Sequence, residues 1–272
     1  MALNAASEVS ANGITYRLTR SVAVIELSRP EAGNALDLAM KHGLLAAVRR
    51  IHTDGDRVRA VLLTARGPRF CVGQDLREHA DALAIRPALA FATVRREYNP
   101  IVEALHSIEQ PVVAAIEGAC MGAGLGLALC ADIRVAAHSA RFATAFTGIG
   151  LAGDTGVSGA LVRALGHSRA MGLMLLGDHF SAQEAAQWGL VHRLAADEQA
   201  AAEGLALAER LAHGPTAAYR EVKTLLRDAG ELDLPALLDR EAGAQERLGT
   251  TRDHAGAVKA FLSRSAPAFT GR

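Results

Sequence analysis

Two segments, RAVLLTARGPRFCVGQDL at 59–76 and PVVAAIEGACMGAGLGLA at 111–128, share one layout: an apolar run of strand length, a glycine break, a turn of small residues and a helix start. A chain that repeats this layout is constrained to an α/β architecture. If the sheet sets the two turns side by side, each offers a backbone N–H at a helix N-terminus, where the first donors have no intrahelical partner and the dipole is positive. Two such donors make an oxyanion hole.

The second turn, GACMGAGLGLA at 118–128, has other readings. Its glycines can simply let a helix pack closely on a sheet. GAGLG also resembles part of the dinucleotide fingerprint GxGxxG, but the third glycine is misplaced and Asp132 comes too soon for a ribose-binding acid. Spacing alone leaves packing and anion-holding both open.

Around these units, ITYRLTR and VAVIELS predict a hairpin ending at Arg29-Pro30, and Asp37 caps a helix running to about His52. Residues 87–108 are helical in pattern, interrupted at Pro100. DIRVAA is a strand, RFATAF extends the same sheet, and GLVHRL is a short late strand. Helices are expected near Thr155–Leu165, Arg169–Leu176 and Ala182–Gln187, and only helices beyond Asp197, with breaks at Gly214-Pro215 and Leu234-Pro235.

The 272 residues are half hydrophobic, enough for one large domain or two modest ones. Lys plus Arg and Asp plus Glu each total 29, so no global field recruits nucleic acid or an anionic membrane. Cys71, Cys120 and Cys130 form no CxxC pair and read as buried reduced thiols of an intracellular protein. MALNAASEVS lacks the pattern of a secretion signal, and no uncharged apolar run reaches about 18 residues, so a cytoplasmic location is expected. The ten histidines show no ligand spacing, and no metal is expected.

NAL at 34–36, FCVGQDL at 70–76, PVVAAIEGACMGAGLGLALCADIRVA at 111–136 and FSAQEAAQWGLVHRL at 180–194 together resemble the enoyl-CoA hydratase/isomerase, or crotonase, superfamily over about residues 13–272. The resemblance implies an α/β fold in which repeated ββα units wind into a spiral (1–200), followed by a helical region (201–272) that builds homotrimers or hexamers. It implies an acyl-CoA thioester as substrate and no cofactor beyond that coenzyme A. It assigns the two N–H groups that grip the thioester carbonyl to Gln74 and Ala123, the positions in the twin turns. A Gln at that place leaves the backbone donor intact, provided its side chain points away.

Hydratases of the superfamily hold a water between two glutamates. Here those positions are Gly126 and Phe146. Neither side chain can exchange a proton, which disfavours hydration. The remaining acid is Asp154 in GIGLAGDTG. From local sequence it is a helix cap. The resemblance makes it the proton-shuttling Asp of Δ3,Δ2-enoyl-CoA and phenylacetate-pathway epoxide isomerases, in an apolar pocket that includes Phe146. An Asp here also resembles the nucleophile of 4-chlorobenzoyl-CoA dehalogenase, but no His matches the partner base that this reaction needs. A non-catalytic acyl-CoA binder is the alternative from another class.

By the same resemblance the adenine end of CoA lies near Asn34, Ala35 and Leu36 and the turn containing Cys71, Val72, Asp75 and Leu76. Gly122 lies beside the thioester, and Arg264 reaches a phosphate from a neighbouring subunit. Arg29 is a further phosphate candidate by position alone. Asp75 and Asp132 also fit simple bonding to nearby backbone N–H groups, Glu117 points away from the pocket, and Trp188 is core. Residues 77–86 are expected to be a mobile loop over the acyl site.

Overall fold

The computed structural model describes residues 7–272. β1 (Ser7–Ala11), β2 (Ile14–Thr19) and β3 (Val22–Leu27) form an antiparallel meander. From β3 the large sheet continues in parallel through β4 (Ala60–Ala65), β5 (Val112–Ile116), β7 (Ile133–Ala137) and β10 (Arg193–Ala195). A second, three-stranded sheet holds β6 (Ala119–Met121), β8 (Arg141–Ala143) and β9 (Phe180–Ser181). Each turn of the chain therefore lays one strand in the large sheet and the next in the small one before a helix begins. β5 and β6 lead into α5 (Ala123–Leu129), and β7 and β8 lead towards α6 (Val157–Leu165). After β4, Cys71 takes the second place by bridging to Cys120.

The strands VAVIEL, AVLLTA and VVAAI are buried nearly throughout, as parallel strands covered on both faces must be. Ile25, Leu63 and Ile116 face one core with Leu44, Val48 and Ile51 of α1 (Leu38–Asp54). Val24, Leu62 and Val113 face a second core closed by Leu207 and Ala208 of α9 (Ala200–Ala212). Asp37 caps α1 by accepting from the Met40 N–H at 2.8 Å, as its sequence implies. Between β4 and β5 lie α2 (Leu76–Ile85), α3 (Pro87–Ala90), a π-helical turn at Val94–Tyr98 and α4 (Asn99–His106). The remaining helices are α7 (His167–Leu176), α8 (Ala182–Gln187), α10 (Thr216–Asp228), α11 (Leu234–Gly249) and α12 (Arg252–Leu262).

The hairpin and α1 lie where the sequence puts them. RFATAF does not extend the large sheet: Arg141–Ala143 pairs with β6 and β9, because Gly118 turns the chain between layers and its carbonyl accepts from the Arg141 N–H at 2.9 Å. Residues 77–86 are not a loop but fall mostly within α2, capped by Asp75. Pro100 stands in the first turn of α4, which continues directly from the π-helical turn, so the helical segment runs through it. A boundary at 200/201 falls at the start of α9, which packs on β3, β4, β5 and β7 and so belongs to the core layers. Cys71 and Cys120 are buried and Cys130 half-buried, all unpaired; desolvation pushes Cys71 and Cys130 up to about 12 and Cys120 well above its ordinary value, so all are neutral thiols. Among the described residues, no helix is long and apolar enough to cross a membrane.

Candidate active site

The twin turns do meet. The Cys71 N–H donates to the Ala119 carbonyl at 3.0 Å and the Met121 N–H donates to the Cys71 carbonyl at 2.9 Å. Gly73 has φ +93°, and a Cβ there would lie 3.2 Å from the Met121 carbonyl oxygen and 3.3 Å from the Ala123 nitrogen. The two turns are thus in contact through backbone atoms.

Each turn leaves one donor over. The bridge between Leu36 and Gln74 uses the Leu36 N–H, donated to the Gly73 carbonyl at 2.8 Å, and the Asp75 N–H, donated to the Leu36 carbonyl at 3.1 Å. Neither bond uses the Gln74 N–H, which in a planar trans peptide points opposite to the Gly73 carbonyl and hence away from Leu36. On the other turn, the Gly122 N–H donates to the Ala143 carbonyl at 3.1 Å. Ala123 is the first residue of α5, and its N–H lies outside the helical ladder. The packing reading also holds, one residue on: a Cβ on Gly124 would fall 2.5 Å from the Cys71 carbonyl oxygen.

Gln74 and Ala123 line a cavity of about 280 Å³ together with Val72, Leu76, Gly122, Phe146 and Asp154. Asp154 is the one carboxylate on its wall among the described residues. Its Oδ1 is buried with no hydrogen-bond partner there, and α6 begins at Val157 behind Gly156 with no side-chain cap. The helix-cap reading of Asp154 is therefore replaced: the carboxylate faces the cavity. Desolvation by burial raises its pKa, against smaller opposing pulls from the Thr155 hydroxyl, its own backbone N–H and, least, the Lys41 charge. Two non-glycine residues beside the cavity carry left-handed backbone, Ala145 (φ 60°) and Thr155 (φ 49°), a kind of strain that persists only where surroundings impose it.

The positions where a water-holding pair would stand are filled differently. Phe146 is 7% exposed and presents only its ring. At Gly126 a Cβ would fall 1.8 Å from the Thr155 Oγ1 and 2.6 Å from its Cβ. No side chain fits there while Thr155 stays in place.

Several expected ligand contacts turn out to be internal fastenings. Asn34 is fully buried; its Oδ1 accepts from the Arg29 N–H at 2.8 Å, and its Nδ2 donates to the carbonyls of Arg66 and Arg69 at 3.0 and 2.8 Å. The Arg29 guanidinium is held by Asp75 at 2.6 Å, by Asp37 at 3.3 Å and by the Ala35 carbonyl at 3.0 Å, which neutralises it before any phosphate arrives. Asp75 also accepts from the Arg77 and Glu78 N–H groups, and these bonds with Arg29 hold its carboxyl below the usual carboxylate range against its desolvation. Ala35, Leu36 and Cys71 are buried outside the cavity, the Cys71 Sγ accepting from the Gly73 N–H at 3.4 Å. Arg264 lies exposed beyond the end of α12. Glu117 accepts from the N–H groups of Glu198 and Ala200, away from the pocket as expected.

Asn34→Ala should lower stability by about 2 kcal/mol, because three part-buried backbone groups lose their shared partner, a side chain that is itself fully buried. Denaturant unfolding measures this; a loss below about 0.5 kcal/mol, ordinary for a surface change, would remove the clamp.

The sequence reading missed Lys41, Glu78, Thr93 and Tyr98, which surround the Gln74 side chain. The Tyr98 hydroxyl donates to the Gln74 Oε1 at 2.6 Å, and the Lys41 Nζ donates to the same oxygen at 3.2 Å, to Glu78 at 3.1 Å and to Thr93 at 2.9 Å. Lys41 does carry a signal: it shares the buried face of α1 with Leu44, Val48 and Ile51, an apolar stripe where a lysine needs a reason.

Paired strands in two sheets thus bring the Gln74 and Ala123 turns to one cavity. The chain belongs to the enoyl-CoA hydratase/isomerase family, whose model matches residues 17–272, and it has the crotonase fold. The family acts on acyl-CoA thioesters. The chain is similar to a probable enoyl-CoA hydratase of Rhodobacter capsulatus (42% identical, covering 97% of this chain and 100% of the relative). It is similar to the 1,2-epoxyphenylacetyl-CoA isomerase of Escherichia coli (37% identical, covering 95% and 98%). A solved structure from Mycobacterium abscessus carrying the hydratase/isomerase family name superposes with a TM-score of 0.94 at 53% identity, covering 95% of this chain and all of that one.

Proposed function

We propose that the protein is an acyl-CoA isomerase that moves a double bond, or opens a ring epoxide, through a thioester enolate. The observation that carries this reading is Asp154: the one carboxylate on a mainly apolar wall that also holds His79, Thr93 and Tyr98, its Oδ1 buried without a partner, in a cavity that the Gln74 and Ala123 turns also line. For a 3-enoyl-CoA, the Asp154 carboxylate takes a proton from C2. The electron pair moves onto the thioester oxygen, where the two N–H groups hold it. The carboxylic acid then returns the proton at C4, leaving the double bond between C2 and C3 and Asp154 ionised again. No redox change occurs, so no cofactor is required beyond the CoA that the substrate carries. Hydration would need a second acid–base group on the attacking water, and Gly126 and Phe146 supply none.

The test is a panel of CoA esters followed for double-bond migration, hydration and epoxide opening, with deuterium uptake from D2O read on the acyl chain. Isomerisation with exchange at C2 and C4 is expected. Hydration of 2-enoyl-CoA as the dominant reaction would overturn the reading, and binding without any turnover or exchange would favour a silent acyl-CoA binder.

The pH profile should follow the base. Asp154 must be ionised to act, and its folded pKa is raised above 3.8, so kcat/KM should fall as pH drops through an apparent value above the ordinary carboxylate range. An acid limb at or below 3.8 would exclude Asp154 as the titrating group.

We further propose a homotrimer or hexamer. Leu226, Leu234, Phe261 and Leu262 of the C-terminal helices are more than half exposed, a concentration of apolar surface that association would cover. Arg264 would then act from a neighbouring subunit.

A further inference from the structure

Lys41 is 1% exposed, and its Nζ is bonded to Gln74, Glu78 and Thr93, at the point where α1, α2 and the π-helical turn converge. Burying an ammonium is costly unless its donors are satisfied, and here one of its three contacts is the amide oxygen of the residue that carries the first thioester donor. Tyr98, also 1% exposed, delivers its hydroxyl to that same oxygen at 2.6 Å, while its ring lies 5.3 Å from the Lys41 Nζ. The π-helical turn ends at Tyr98 and follows directly on Thr93, so this irregular segment sets both contacts. On its other side the Gln74 Nε2 donates to Glu78 at 3.2 Å and to the Asp75 carbonyl at 3.3 Å. Glu78 in turn accepts from the Leu38 N–H at 2.7 Å, fastening the group to the start of α1.

We propose that Lys41 and Tyr98 are positioning residues for the oxyanion hole: they hold the Gln74 side chain so that its backbone N–H stays aimed at the thioester oxygen. The role rests on the thioester grip proposed above. With the Gln74 amide oxygen taken by two donors, the side chain is held in one place at the edge of the cavity that this residue lines. The peptide is fixed at both ends, by the Gly73 carbonyl on Leu36 and by the side chain on Lys41 and Tyr98.

The test uses trans-cinnamoyl-CoA, whose absorption moves to longer wavelength when its thioester carbonyl is polarised and which has no proton at C4 to be transferred. The readout is therefore independent of Asp154. In the intact protein a red shift is expected on binding. Tyr98→Phe and Lys41→Met should each lose most of that shift while Kd changes by less than about tenfold. With a 3-enoyl-CoA, the same variants should lower kcat by about tenfold or more with KM little changed. Added to Gln74→Ala, Tyr98→Phe should cost no further red shift, because it acts through that side chain. Tyr98→Phe removes one hydroxyl without changing volume, so it reports even if Lys41→Met fails to fold. A shift retained in Tyr98→Phe, or a further loss when it is added to Gln74→Ala, would overturn the role. No shift in the parent protein would remove the grip itself and this role with it, whereas a normal shift without isomerisation would count against Asp154 alone.

Discussion

Asp154→Asn should lower isomerisation of a 3-enoyl-CoA by roughly 10²–10⁴-fold, the range that a positioned acid–base group contributes, while leaving acyl-CoA binding unchanged. The substitution keeps the shape of the side chain, so the cavity wall stays intact and the loss belongs to proton transfer. Its effect on stability has a definite sign. Desolvation raises the folded pKa of Asp154, so the neutral form suits the folded state better than the charged one. The group contributes its stability below the unfolded carboxylate pKa, and that contribution is lost as pH rises through the raised folded value. At neutral pH the Asn variant should therefore melt at or above the parent temperature. An inactive variant that melts lower would point to a fold defect instead, and one that turns over normally would end the assignment.

Gly126→Glu, which restores one acid of a hydratase pair, should create no hydratase. It should destabilise by about 3 kcal/mol or more, combining overpacking with burial of a carboxylate. The cause is the Cβ alone, 1.8 Å from the Thr155 Oγ1, so Gly126→Ala should already be destabilised. Removing the obstacle should rescue it: Thr155→Gly deletes both nearest atoms and suits the φ of 49° at that place. The double variant Gly126→Ala with Thr155→Gly should recover most of the stability lost by Gly126→Ala, as read by denaturant unfolding. If Gly126→Ala alone unfolds like the parent, the contact does not constrain this position.

The strands, the twin turns and their contact were legible because each rests on local pattern: buried runs, a glycine at the turn, a helix start after it. Asp154 was harder, since a cap and a cavity acid look alike until the helix start is fixed at Val157. Asn34, Arg29 and Asp75 were read as neighbours of CoA. Their partners lie up to 46 residues away, between Arg29 and Asp75, and a polar side chain's target is set by tertiary contact. Lys41 and Tyr98 escaped for the same reason, because their meeting with Gln74 depends on the π-helical turn, which no periodicity announces. RFATAF has strand composition but no local mark of which sheet receives it.

The contact between Gly126 and Thr155 has a bearing on how such chains acquire new chemistry. A single base change that introduces an acid at 126 meets a site that Thr155 occupies, so an acid is tolerated there only after 155 has become smaller, and Phe146 would still lack the second acid of a hydratase pair. The family name attached to a sequence says nothing of that order. In this chain the two letters at these positions do.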